Sequence, residues 1–93
     1  MDKGVAAAQS SFPKRGRSIE RLAARDDDFR DLCTDLADAQ TELQRWESST
    51  GPLRKERCAE YAEMVTYLLS EIETALDKAD VIPFDIRKKK TRT

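Results

Sequence analysis

The chain has 93 residues, enough for one domain and no more. With 39% hydrophobic and 38% charged residues, it has no stretch near the ~18 continuous apolar residues of a membrane span. The run Val5–Ala8 gives way at once to Gln9, Ser10 and Ser11, too short for the apolar region of a signal peptide, so the expected location is cytoplasmic.

The net charge of −1 conceals a segregation. Residues 1–18 carry +3 and residues 80–93 carry +3, whereas residues 19–79 set eight bases against fifteen acids, a net of −7. Basic ends on an acidic body bind polyanions, fold back on the body, or keep it in solution.

In chain order, residues 1–17 read as a flexible basic tail, with Gly4, Pro13 and Gly16 and no apolar period. Ser18 suits the N-cap of a helix over 19–48. Leu22, Phe29, Leu36 and Leu43 recur every seven residues, and Leu32, Ala39 and Trp46 form a second heptad column. That is the a/d seam of coiled-coil-like packing. Arg25 interrupts it beside Asp26-Asp27-Asp28, a good capping cluster, so a break falls at 25–27.

Ser48–Pro52 forms the turn, and a second helix is expected over 52–79. Its seam is Cys58, Val65, Ile72 and Ala79 with Tyr61, Leu68 and Ala75. Pro83 disfavours helix at Ile82. Val81–Ile86 then reads as an apolar patch, and Arg87–Thr93 as a basic tail.

The predicted fold is therefore all-α, an antiparallel two-helix hairpin over 18–80. Its register sets Leu43 against Cys58, Leu36 against Val65 and Phe29 against Ile72. Ala62, Leu69 and Leu76, with Met64 on the other flank, then find no partner inside the hairpin. Exposed apolar rows point to association, with a homodimeric four-helix bundle as one solution and an unknown protein partner as another. Folding of Val81–Ile86 over the open end is the monomeric alternative.

Residues that would carry chemistry are sparse. The absence of histidine removes the commonest general base and transition-metal ligand, along with Ser-His and Cys-His nucleophiles. Gly4, Gly16 and Gly51 are too scattered to cradle phosphate. In the predicted register Cys33 lies roughly 15 Å from Cys58, beyond the ~7 Å limit of a disulfide, so both read as small buried side chains. The carboxylates Asp26, Asp27, Asp28, Asp31, Asp35 and Asp38 lack the spacing of an EF-hand loop and read as caps plus a solvated face. No enzyme activity, cofactor or metal is expected.

The candidate interaction surface is Met64, Tyr67, Leu69 and Leu76, together with Trp46 beside the turn, which closes the core or anchors a partner. The candidate polyanion contact is Arg87, Lys88, Lys89, Lys90 and Arg92. No aromatic residue is interleaved there for base stacking, and the acidic body repels nucleic acid. An interaction or structural module is the leading expectation. A nucleic-acid accessory protein using its basic tails is the alternative.

The strings Ile19-Glu20-Arg21-Leu22, Asp28-Phe29-Arg30-Asp31-Leu32, Glu42-Leu43, Trp46-Glu47 and Leu69-Ser70-Glu71-Ile72 resemble small bacterial helical-hairpin proteins of the YdcH type. The resemblance covers about residues 19–76. It implies a bacterial source and an interaction role, and carries no catalytic residue across. The longer second helix and both tails depart from that pattern.

Overall fold

The computed structural model describes residues 2–92, with side chains described for 2–80. Among the described residues there are four α-helices, one 3₁₀ turn and no strand. They are α1 (Lys3–Ser11), the turn Pro13–Arg15, α2 (Gly16–Arg25), α3 (Asp27–Glu47) and α4 (Arg54–Arg92). The all-α class holds, with an architecture larger than a bare hairpin: α3 packs along α4, α1 packs against α3, and α2 touches all three.

The first correction falls on residues 1–17. In place of a tail the chain forms α1, capped by Asp2, whose Oδ1 accepts from the Gly4 and Val5 amides at 2.7 and 3.1 Å. Two features dock this helix. Ala8 is fully buried in the common core. Gly4 brings backbone onto backbone: a Cβ there would lie 2.5 Å from the Thr34 nitrogen and 2.7 Å from the Cys33 carbonyl carbon. The absence of a side chain at Gly4 is thus what allows α1 to reach α3. Apolar periodicity does not register a contact made by missing atoms.

Charge reinforces the docking. Lys3 Nζ meets Asp38 at 2.7 Å, and Arg15 spans Asp77 and Asp80 at 2.8 and 3.0 Å. These N-terminal bases fold back onto the acidic body, one of the three uses open to them.

Ser18 does not cap a helix. The 3₁₀ turn leads directly into α2 at Gly16, leaving Ser18 inside the first turn. The Gln9 amide donates to the Gly16 carbonyl at 3.0 Å and ties α1 to the start of α2. The chain breaks at Asp26, whose carboxylate accepts from the Phe29 amide at 3.1 Å and so caps α3. Arg25, the seam defect, ends α2 with its side chain exposed.

Residues 48–53 join α3 to α4, and the Arg54 Nε donates to the Glu47 carbonyl at 3.1 Å, satisfying one orphan carbonyl at the C-terminus of α3. Pro52 lies in this turn, two residues before α4 begins. α4 continues to Arg92, past the end expected at 79 and past Pro83. The Val81–Ile86 patch and the basic residues Arg87, Lys88, Lys89, Lys90 and Arg92 lie outside the described side chains.

The core joins Ala8 of α1, Ile19, Leu22 and Ala23 of α2, Phe29, Cys33, Leu36 and Ala39 of α3, and Leu68, Ile72 and Leu76 of α4. Burial along the seam is uneven. From Phe29 to Leu36 on α3, and from Leu68 to Leu76 on α4, seam residues are mostly sealed. Towards the turn Leu43, Trp46, Cys58, Tyr61 and Val65 are only half-buried. The reason is coverage: α1 and α2 roof the first stretch, and no third helix roofs the second.

Candidate functional site

The open stretch carries the feature best suited to a ligand. Between α3 and α4 runs a groove of about 540 Å³, lined by Asp35, Asp38, Ala39 and Glu42 from α3 and by Tyr61, Met64, Tyr67 and Leu68 from α4. Ala39 and Leu68, which are buried, form its floor. Met64 and Tyr67 are 47% and 62% exposed and stand beside it. Each apolar residue is placed by the seam geometry of α4: Tyr61 and Leu68 are seam positions seven apart, and Met64 and Tyr67 flank them on successive turns.

The other wall is acidic. Asp28, Asp31, Asp35, Asp38 and Glu42 alternate spacings of three and four, which stacks them in one column along α3. Two of the groove carboxylates have partners, Asp38 with Lys3 and Glu42 with Arg45, the latter at 2.7 Å within the same helix. Among the described residues Asp35 has no ion-pair partner. Hydrogen bonding to Asp38 raises the pKa of the Lys3 ammonium and keeps it charged.

Two smaller clefts are less suited. One of about 240 Å³ between α1, α2 and α3 is lined by Asp2, Gln9, Glu20 and Arg30, among others. Three of those polar groups are engaged: Asp2 caps α1, Gln9 holds the Gly16 carbonyl, and Arg30 meets Asp27 at 2.7 Å. The other, about 310 Å³, lies between α1 and α3 and is lined by small and neutral polar residues such as Ala6, Ser10, Gln40 and Gln44, with Lys3.

The candidate surface read from the sequence divides. Met64 and Tyr67 come together at the groove. Leu76 is a correction: it is 1% exposed, inside the core formed with α1 and α2. Leu69 is a second correction, half-buried and packed against that core. Trp46 is half-buried near the turn and does not line the groove. The reason is the same for Leu69 and Leu76: α1 and α2 complete the core that this part of α4 joins.

What the sequence reading missed is the groove's composite character. The α3 carboxylates read as a solvated face, and Tyr61 as a seam residue. The 3-4-3-4 spacing of Asp28 to Glu42 marks the column, but nothing in it says that an apolar strip runs alongside.

Among the described residues no polar or charged residue is buried and no group of three or more Cys, Asp or Glu residues is placed to hold a metal ion. Cys33 is buried, and desolvation pushes its thiol up to about 11, away from the reactive thiolate. Cys58 is half-buried on α4, and both cysteines are free. Among the described residues no helix is long and apolar enough to cross a membrane.

No protein-family model matches the chain, and no curated protein or solved structure matches it either. The likeness to the YdcH type rests on the residues quoted for it alone.

Proposed function

We propose that this protein is a small non-catalytic interaction module whose contact surface is the groove between α3 and α4. The observation that carries this reading is the exposure of Met64 and Tyr67 beside a groove whose floor, Ala39 and Leu68, is buried. Leaving a methionine and a tyrosine in water forgoes stabilisation that the closed stretch of the same helices obtains by burial. Methionine adapts to irregular apolar partners, and tyrosine supplies contact area with a polar tip. The apolar column that motivates a homodimeric four-helix bundle loses Leu69 and Leu76 to the chain's own core. Pairing of two copies on this face would also bring Asp35, Asp38 and Glu42 of each copy towards those of the other, a like-charge cost. A partner other than a second copy is therefore favoured.

The test is site-directed cross-linking in the source cell, with a photoreactive phenylalanine in place of Tyr67 and, as control, of Arg21 on α2. The reading requires a discrete adduct from position 67 and none from position 21. Equal yields from both positions, or no adduct at 67, would overturn it.

A further inference from the structure

We infer that the groove takes a basic amphipathic helix, one whose apolar stripe seats on Ala39, Tyr61, Met64 and Leu68 while its Lys or Arg residues face the α3 carboxylates. This deepens the reading of the groove as a docking surface and rests on it.

Three properties of the site select this partner. The first is charge. One wall of the groove is made of Asp35, Asp38 and Glu42, and the column continues along α3 to Asp31 and Asp28. Lys3 offsets Asp38 and Arg45 offsets Glu42, yet residues 19–79, at −7 alone, still stand at −5 once the docked Lys3 and Arg15 are added. A cationic ligand gains at this wall, whereas a nucleic acid or an acidic peptide is repelled.

The second is the apolar strip. A bare cation would leave Met64 and Tyr67 in water, so the ligand has to present apolar surface beside its charge. A helix with a hydrophobic stripe flanked by lysines carries both at the required spacing, because positions three and four apart share a face.

The third is form. The groove lies between two packed helices, and helix-in-groove recognition uses such a seat. Among the described residues there is no strand whose edge an extended peptide could join. The groove wall from Asp35 to Glu42 runs roughly 10 Å, about two turns of a partner helix, and the carboxylate column continues for about two turns more to Asp28.

The test uses a fluorescent synthetic helix of about 18 residues with leucines on its seam and lysines beside them, and a counterpart with glutamates in place of the lysines. Fluorescence anisotropy with the full chain should give binding in the micromolar range for the lysine peptide at low salt. The affinity should fall about tenfold or more between about 50 and 500 mM salt, as screening shortens the reach of the carboxylates. Tyr67→Ala and Met64→Ala should each weaken binding about fivefold or more, with unchanged circular dichroism, since both residues are largely exposed. Asp35→Asn should weaken it several-fold and flatten the salt dependence. Glu73→Gln, which removes an exposed α4 carboxylate outside the groove, should not.

Equal binding of the glutamate peptide would overturn the inference. So would equal losses for Asp35→Asn and Glu73→Gln, which would mean attraction by net charge alone. A dimer in sedimentation at micromolar concentration that Tyr67→Ala dissociates would assign the groove to a second copy and overturn it as well. A position-67 adduct in the cell combined with no binding of the lysine peptide would remove the partner class and leave the docking surface standing. Loss of that adduct would remove both.

Discussion

The bundle has two halves built on the same heptad seam, and they differ in what covers it. At the end where α3 begins, Phe29, Cys33 and Leu36 meet Leu68, Ile72 and Leu76 under a roof of α1 and α2, and most of these side chains are fully buried. At the turn end, Leu43, Trp46, Cys58 and Tyr61 follow the same spacing and stay half-exposed. The electrostatics differ in parallel. The closed half has a pair between distant elements, Arg15 with Asp77 and Asp80, beside Arg30 with Asp27 within α3, and Lys3 reaches Asp38 at the edge of the groove. The ion pairs of the open half, Arg45 with Glu42 and Arg57 with Glu60, lie within single helices. A heptad seam supplies a two-helix contact, and two helices cannot enclose a side chain on all sides. Whether a seam residue is core or contact surface is decided by the third element.

This contrast is open to direct attack, most strongly through the core. Ile72→Ala removes fully buried methylenes from the closed half and should cost about 2–5 kcal/mol in urea unfolding, whereas Met64→Ala in the open half should cost under about 1 kcal/mol. Similar losses at both positions would show that the halves are equally sealed. The roof itself depends on Gly4. Gly4→Ala sets a methyl carbon 2.5 Å from the Thr34 backbone nitrogen, which cannot yield as a side-chain tip would. The overpacking should outweigh the roughly 1 kcal/mol gain in helix propensity and cost about 2 kcal/mol. Hydrogen exchange across Val5–Ser11 should accelerate in this variant and leave α3 near the turn unaffected.

Smaller effects follow from titration. The Cys33 thiol is raised from 9.0 to about 11 by burial, so between these values the folded state holds a proton that the unfolded state has released. Stability is complete below about pH 9 and falls as pH rises towards 11, by on the order of 2 kcal/mol. Cys33→Ala should flatten that alkaline slope in a pH series of unfolding curves. At pH near 8 a thiol reagent should label Cys58 well before Cys33, and equal rates would mean that the roof opens readily. The smallest expected change is at Arg15. Its pKa is raised chiefly by hydrogen bonding to Asp77, and its bridges reach carboxylates that remain largely exposed. Arg15→Gln should therefore cost under about 1 kcal/mol, with a coupling to Asp77→Asn measurable only in a double-mutant cycle at low salt.

The two longest helices and the turn between them are largely legible from the sequence. Period-seven leucines locate α3, the Arg25 defect with the aspartate cluster locates the break at Asp26, and Ser48–Pro52 locates the turn. The N-terminal helix is not legible in the same way, because its docking relies on a glycine and alanines. In pattern reading, small residues and a basic charge look like a tail. Leu69 and Leu76 depend on this docking: in the core that α1 and α2 complete, Leu76 is buried and Leu69 packs against it, while Ala62 of the same column stays exposed.

By itself, then, the sequence determined what depends on local spacing. It set the all-α class, the α3 seam and its break, and the exposure of Tyr67. Only the tertiary structure decided which stretch of seam is roofed, that the first basic residues are spent on Asp38, Asp77 and Asp80, and that the acidic column borders an apolar groove. The physical reason is that periodicity reports which side of a helix a residue is on. Burial and juxtaposition depend on what arrives at that side, and here a helix with little side-chain signal of its own arrives at one end of the seam and leaves the other open.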